Sequence, residues 1–559
     1  MKHSAHRRPD APSPVRSLVS ALLLAACGTA TPAPDASPAR DAAPDAAEVA
    51  ADVRDAQRAG DVTSRCATGT PPYPTTTLPV IESRALPDMR FDTAAGAVSL
   101  RDWYTPCAEA PKVLVIRSFT AWSGPSQHAA AHTQRLLSHP QASRVAVLDL
   151  LTLGPDNTPA TTADLTAWRA RYDAAPAALA ADPAYSLQSC FFNGGELPLY
   201  VFVDTRTMRV LAVLMRASSE VLAHTVSLSL ARIDGVPPPP QPEAALVDDR
   251  FTRDEWEMIQ AMRAPGAPPP DPSNRVADDP RAARLGETLF NDTGFSSNNR
   301  VACASCHGAS TLFTDGRPRA VGVGEGARNT PTTLLAPYAR WLLWDGRVDT
   351  LWAQALGPIE NPSEMRFTRL AAVRRLADRY AMEYAALFGP LPDLSDATRF
   401  PAAAMPGDAS WEAMTPVDRE AVNRAYVNLG KSLAAYERTL RFPTTAFDRY
   451  VAGDVSALTA SQRDGLRFFF VNGCAQCHFG PTLSNDSFHN IGMPTGRADG
   501  VPDRGRADAI AGLMALPFRS DGPFSDDRTA GAHLGRVASH PMQVGQFHTP
   551  SLRGIGRTG

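Results

Sequence analysis

Cys303-Ala304-Ser305-Cys306-His307 and Cys474-Ala475-Gln476-Cys477-His478 are two copies of one pentapeptide pattern in the C-terminal half of this 559-residue chain. Cys-x-x-Cys-His is an attachment signal for c-type haem. Two thiols add covalently to the porphyrin vinyl groups, and the adjacent histidine becomes the proximal iron ligand. One such pentapeptide arises by chance, or as half of a zinc site. Two of them, in a chain with only eight cysteines and twelve histidines, predict two covalently bound haem c groups. Cys303, Cys306 and His307 hold one; Cys474, Cys477 and His478 hold the other. The alternative is a four-cysteine zinc site with both histidines idle. The wide separation of the two signals suits two single-haem lobes.

Outward from these signals the sequence is mostly helical by pattern. Segments 282–290 and 461–470 read as short helices, each leading into a haem signal. Thr415-Pro416 is an N-cap followed by proline at the first helical position. Val422, Tyr426, Leu429, Leu433, Tyr436 and Leu440 then recur at spacings of three and four, an apolar stripe predicted to run until Pro443 closes it.

The N-terminal part differs. Lys2, Arg7, Arg8 and Arg16 precede an apolar run from Leu18 to Ala26 that is too short to span a bilayer. Leu24-Ala25-Ala26-Cys27 then looks like a bacterial lipobox, with Cys27 as the lipidated residue; an ordinary cleaved secretory signal is the alternative. Either reading exports the chain, which agrees with haem-c attachment outside the cytoplasm. Residues 28–62, rich in Ala, Pro and Asp, have little to bury and read as a disordered tether. Pro237 to Pro240 and Pro268 to Pro270 mark a second linker, interrupted by a short helix over 253–262. A formal net charge of −3 provides no basic field for nucleic acid.

Between these linkers, 113–116, 145–151, 199–203 and 210–214 are apolar, β-branched runs suited to buried strands. Ala121-Trp122-Ser123-Gly124-Pro125-Ser126 opens a predicted helix over 128–137. This resembles the thioredoxin superfamily, whose Trp-Cys-Gly-Pro-Cys stands at the same strand-to-helix junction, and Leu197-Pro198-Leu199 fits that family's cis-proline position. Both redox cysteines are serine here. A serine hydroxyl forms no disulfide, so a docking or structural module is expected rather than a thiol–disulfide enzyme. Two of Cys66, Cys107 and Cys190 are expected to pair, with the choice of pair open. His128 and His132, one turn apart, read as an ordinary solvated helix face, with a metal site as the alternative.

The haem region resembles the bacterial di-haem cytochrome c peroxidase family, which includes the MauG-type oxidases. The resemblance runs from about Arg281 to the C-terminus. It rests on Gly286-Glu287-Thr288-Leu289-Phe290, Phe313-Thr314-Asp315-Gly316, Arg328-Asn329-Thr330-Pro331, Trp344-Asp345-Gly346-Arg347, Gln354 and Glu364-Met365. In the second lobe it adds Phe447-Asp448-Arg449-Tyr450, Phe488-His489-Asn490-Ile491-Gly492 and Thr549-Pro550-Ser551-Leu552-Arg553. The resemblance implies a peroxidatic haem on His307 and an electron-entry haem on His478. It also implies Glu364 as the distal acid/base, Gln354 as its polar neighbour, and Trp344 between the haems. Asn329 and Thr558 match calcium ligands. Implied partners are hydrogen peroxide, a small electron donor (cytochrome c or cupredoxin) or a protein substrate, and a second copy in a homodimer.

Two departures stand out. In the Val321-Gly322-Val323-Gly324 loop, Val323 occupies the place where many relatives carry a distal histidine, so a five-coordinate or water-bound first haem is expected. The chain as given also stops inside the motif that ends Arg557-Thr558-Gly559, before the second haem's usual distal methionine or tyrosine. A truncated gene model or a real loss is the expected account, with Met493 and Met542 as weaker substitutes. The whole reads as a multidomain chain. Signal peptide 1–27 and tether 28–62 precede an α/β thioredoxin-like domain (63–235) and a linker (236–277). Mainly α-helical tandem cytochrome c-like lobes follow, peroxidatic over 278–450 and electron-transferring over 451–559. The expected activity is peroxide reduction. The alternatives are MauG-like oxidation of a partner protein and a non-catalytic electron-transfer cytochrome.

Overall fold

The computed structural model describes residues 66–557, apart from 77, 79, 111, 173–177, 192–196, 243–244 and 493–500. The signal segment with Cys27, the tether, Met493 and Thr558 lie outside the described residues. The chain divides into two compact units, Met1–Trp256 and Glu257–Gly559.

The first unit is built on one seven-stranded sheet. Its strands are β1 (Arg90–Thr93), β2 (Gly96–Ser99), β3 (Val113–Thr120), β4 (Val145–Leu153), β5 (Ala178–Ala181), β6 (Leu199–Asp204) and β7 (Val210–Met215), in the order β2-β1-β5-β4-β3-β6-β7. β3, β4 and β5 run parallel, and β6 and β7 join antiparallel. All eight residues of β3 are buried, as a central strand covered on both faces requires. Leu114 and Ile116 enter one core. Val113 and Val115 enter the other, against Leu222, Val226 and Leu230. Four of the strands match the expected runs. β1, β2 and β5 are four residues each and carry too weak a pattern to be foreseen.

After β3 the chain turns into α1 (Gly124–Ala131) and α2 (Thr133–Leu137), two helices where one was expected. His132 breaks them at φ −108°, with its Nδ1 on the His128 carbonyl at 2.8 Å. Ser123 caps α1, and Ser126 Oγ accepts from the Thr120 backbone N–H at 3.3 Å. The two serines that replace redox cysteines thus stitch the strand–helix turn together. α3 (Thr162–Arg171), α4 (Ser186–Ser189) and α5 (Ser219–Asp234) complete the layers, and the Leu197–Pro198 bond before β6 is cis, as the family position implies. Cys66 pairs with Cys107, which answers the open question of pairing; Cys190 is buried outside that disulfide, its Sγ donating to the Ser186 carbonyl at 3.3 Å.

α6 (Arg253–Ala261) contains the division between the units. In the second unit, α7 (Pro280–Asn291) turns Ala282, Leu285, Gly286, Leu289 and Phe290 inward and leads to α8 (Cys303–Cys306). α9 (Leu351–Glu360) and α10 (Arg369–Phe388, kinked at Tyr380) follow, then α11 (Ala409–Glu412) and α12 (Pro416–Glu437). α7 crosses α12 so closely that a Cβ on Gly286 would lie 1.9 Å from the Ser432 carbonyl oxygen, so only glycine fits. Thr415 caps α12 as expected. The helix ends at Glu437, however, and Leu440 lies beyond it. The chain tightens there into three-residue turns, Thr439 N–H to Tyr436 O and Leu440 N–H to Glu437 O, while Arg438 is held by Asp278 and the Pro269 carbonyl.

The second lobe contributes α13 (Ala446–Val451), α14 (Ala460–Val471) and α15 (Arg506–Ala515). Between and after them a two-stranded ribbon pairs β8 (Phe488–His489) with β9 (Phe547–His548). Buried Arg553 ties the chain end back to Asp448 at 2.9 Å and to the Met262 carbonyl at 2.6 Å.

Candidate active site

The two haem signals fold alike. His307 N–H donates to Cys303 O at 2.9 Å, and His478 N–H to Cys474 O at 3.0 Å. His307 Nδ1 meets the Phe313 carbonyl at 3.0 Å; His478 Nδ1 meets that of Leu483 at 3.2 Å. A carbonyl on Nδ1 fixes the tautomer that leaves Nε2 unprotonated, the form that ligates iron. Burial lowers the pKa of both rings and keeps them neutral. Among the described residues the four cysteines do not gather into one group of metal-ligating atoms, so the four-cysteine zinc arrangement is not formed.

Around His307 the second unit holds two cavities. The smaller, about 490 Å³ including its opening to solvent, is lined by Cys303, Cys306 and His307 and also by Gln354, Glu364, Met365 and Glu437. The sequence separation between attachment signal and predicted acid/base is thus closed by the fold. The larger, about 1190 Å³ including its open mouth, is lined by His307 and Gln354 with Asn329, Trp341, Trp344, Asp486 and His548. Two thiols, a neutral imidazole and apolar walls (Val301, Ala302, Ala355, Leu433) form a donor set and a cradle that fit a covalently bound haem.

Glu364 sits in the turn after α9. Asn361 Nδ2 donates to its Oε1 at 2.7 Å, while Asn361 Oδ1 accepts from Ser363 N–H at 3.0 Å, so the amide is pinned by its own turn. Burial raises the Glu364 pKa; the Arg347 charge and the Asn361 hydrogen bond oppose it. The loop carrying Val323 rests on this turn. Val323 N–H donates to Glu364 O at 2.7 Å and Gly324 N–H to Ser363 O at 2.9 Å. A Cβ on Gly322 would stand 2.3 Å from Glu364 O.

Trp344 is half-buried, donates through Nε1 to the Asn329 carbonyl at 3.3 Å, and accepts from His548 N–H at 2.8 Å. Cys474, Cys477 and His478 lie outside both cavities, in their own turn, with Asn485 N–H on Cys477 O at 2.8 Å. Met542 is 45% exposed and lines neither cavity. The sequence reading overlooked five residues. Asn361 had a signal, since it stands three residues before Glu364. Asp486 and His548, paired at 2.7 Å, are distant in sequence. His489, whose pKa burial and then the neighbouring His478 and His548 push down to about 4, was quoted only as part of a motif. Glu437 gave no local sign.

A family profile described as di-haem cytochrome c peroxidase matches residues 280–456. The chain is 32% identical over 321 residues to the methylamine utilization protein MauG of Methylorubrum extorquens, covering 55% of this chain and 81% of that one. It is 34% identical over 211 residues to the cytochrome c551 peroxidase of Pseudomonas aeruginosa, covering 37% of this chain and about half, 53%, of that one. Among solved structures, the diheme peroxidase BthA from Burkholderia thailandensis aligns at 22% identity and TM-score 0.37, over 52% of this chain and 73% of that one. A protein described as the thiol:disulfide interchange protein DsbE, from Chlorobium tepidum, aligns at 19% identity and TM-score 0.23, over 27% of this chain and 99% of that one. With most of a MauG's length matched at that identity, this chain belongs to the oxidoreductase family of di-haem cytochrome c peroxidases and MauG proteins, a family that implies two c-type haems.

Proposed function

We propose that this chain reduces hydrogen peroxide to water at the haem held by Cys303, Cys306 and His307, with electrons entering through the haem held by Cys474, Cys477 and His478. The observation that carries this reading is Glu364, a carboxyl of raised pKa in the same cavity as the first attachment signal. When bound, the haem pair supplies an open coordination position and the two electrons that the O–O bond takes up. The protein groups manage the protons. Asn361 occupies Glu364 Oε1, so Oε2 is the atom that takes a proton from one peroxide oxygen and returns it to the other. Gln354, on α9, offers an amide to orient the peroxide. Val323 places an aliphatic side chain where an imidazole would close the site, so no reductive priming is needed. Trp344 assists electron passage between the haems.

Around this centre, a cytochrome c or cupredoxin serves as donor. Asn329, with Thr558, holds a calcium ion. The apolar run ending at Cys27 exports the chain and anchors it by lipid. The region over 63–235 docks a partner, since Ser123 and Ser126 cannot exchange disulfides. A second reading, oxidation of a partner protein, draws support from the longer match to MauG than to the peroxidase. Peroxide turnover with reduced cytochrome c tests the first reading: Glu364→Gln loses at least about a hundredfold. Equal rates would leave electron transfer alone.

A further inference from the structure

The smaller cavity holds a second carboxyl that the reading above does not use. Glu437 is the last residue of α12, one turn beyond Leu433, and both line the cavity with Cys303 and Glu364. Glu437 is 4% exposed, and its buried Oε2 has no hydrogen-bond partner among the described residues. Several acids of this unit are ion-paired: Asp292 with Arg375, Asp345 with Arg328 and Arg347, Asp418 with Arg399, and Asp448 with Arg553. Arg438, the next residue, turns to Asp278 instead.

The groups facing Glu437 explain its isolation. Cys303 on α8 feels both Glu437 and Glu364, and Tyr436 on its own helix feels Glu437. Cys306 and His307 line the same cavity. The charged residues of α7 (Arg281, Arg284, Glu287) are exposed, and Arg369 of α10 is spent on Glu360 of α9. Burial alone pushes the Glu437 carboxyl up to about 8, so it carries its proton at neutral pH. An unpaired buried carboxyl costs stability, and no structural partner repays that cost.

We propose that Glu437 is a second proton-holding carboxyl of the first haem cavity, which supplies a net proton to peroxide reduction while Glu364 relays protons between the two oxygens. The proposal rests on the peroxidase reading. The balance is H2O2 + 2 H⁺ + 2 e⁻ → 2 H2O, with electrons from the donor protein. Glu364 ends each cycle as it began and so provides no net proton. Glu437 gives one of these two protons to the departing oxygen through water and is reprotonated from solvent, which also supplies the second.

The test uses the full-length di-haem protein and its Glu437→Gln and Glu437→Asp variants. Infrared spectra at neutral pH should show a protonated carboxylic acid band in wild type that is lost in Glu437→Gln and retained, shifted, in Glu437→Asp. Peroxide turnover with reduced cytochrome c should fall on the order of a hundredfold in Glu437→Gln. The wild-type decline above about pH 8 should disappear in that variant. Glu437→Asp should recover part of the rate, which a purely structural role would not give. If Glu437→Gln does not fold, the infrared titration of wild type against Glu437→Asp decides the matter. A band unchanged by substitution, or matching pH profiles for wild type and Glu437→Gln, overturns the proposal. Wild type without peroxide turnover would overturn the peroxidase reading, and this proton-supply role with it, while the band still reports whether Glu437 holds a proton.

Discussion

Removing Asn361 should move the pH dependence of peroxide reduction in a calculable direction. Its Nδ2 donates to Glu364 Oε1 at 2.7 Å, a bond that stabilises the charged carboxylate against burial. A hydrogen bond to a charged group is worth about 1.5–3 kcal/mol, and about 1.36 kcal/mol is one tenfold step in proton affinity. Asn361→Ala should therefore raise the proton affinity of Glu364 roughly ten- to a hundredfold. Glu364 must be ionised to accept the peroxide proton, so activity is lost as pH falls through its pKa. The variant's acid limb should lie at higher pH, with the two curves converging in alkali. The assay is kcat/KM for peroxide against pH with reduced cytochrome c, since that parameter reports groups of the free enzyme. Asn361→Asp, which sets a like charge beside the carboxylate, should move the limb further the same way. A uniform loss at every pH, or a limb displaced downward, would refute the argument that Asn361 tunes Glu364 rather than merely shaping the turn.

Two other outcomes follow from the same structure. The oxidised protein should show a high-spin first haem by electronic and paramagnetic resonance spectroscopy, and Val323→His should convert it toward a low-spin bis-histidine signal. An unchanged spectrum in the variant would show that the loop, bonded to Glu364 O at 2.7 Å, holds residue 323 away from the iron. In the first unit, Arg117 and Asp149 are 2% exposed and joined by two hydrogen bonds of 2.7 and 2.8 Å. Arg117→Ala should cost that unit about 3–5 kcal/mol by calorimetry, because it strands a buried carboxylate; replacing both residues with apolar ones of similar volume should restore most of the loss.

What the sequence displays and what it hides follow from the range of the forces involved. The haem signals are legible because five consecutive residues set their own geometry, the His307 and His478 N–H groups bonding four residues back. α12 is legible through its Thr415 cap before a proline and its apolar stripe, whereas the Asp279 cap that starts α7 two residues earlier than expected is seen only in the structure. The sheet core is legible because β3 opens on the apolar run 113–116, although Arg117 and Ser118 follow it. β5, Ala178–Ala181, is not, since small residues carry no β signal and its place depends on hydrogen bonds from β4. The break at His132 is likewise silent. Glu437 lies between Tyr436 and Arg438 and reads as a solvated helix end; only the fold, which sets it in the cavity with Cys303 and Glu364, removes it from water.

The same pentapeptide becomes two different sites because of what later chain brings beside it. At His307, the turn after α9 and the end of α12 bring two carboxyls, and each is pushed toward its protonated form by burial. β8 and β9 bring imidazoles as well: His489, held neutral beside His478, and His548, bonded to Asp486 in the larger cavity that His307 also lines. A site that stores protons suits the breaking of an O–O bond, which consumes them. An imidazole held neutral, as His489 is, takes up no proton at neutral pH. Under the proposed function, the role of the first haem rests less on its attachment signal than on Glu364, Glu437 and Asn361 beside it. Exchanging carboxyls for amides at the first site should suppress its proton uptake and leave the reduction potential of the second haem unmoved.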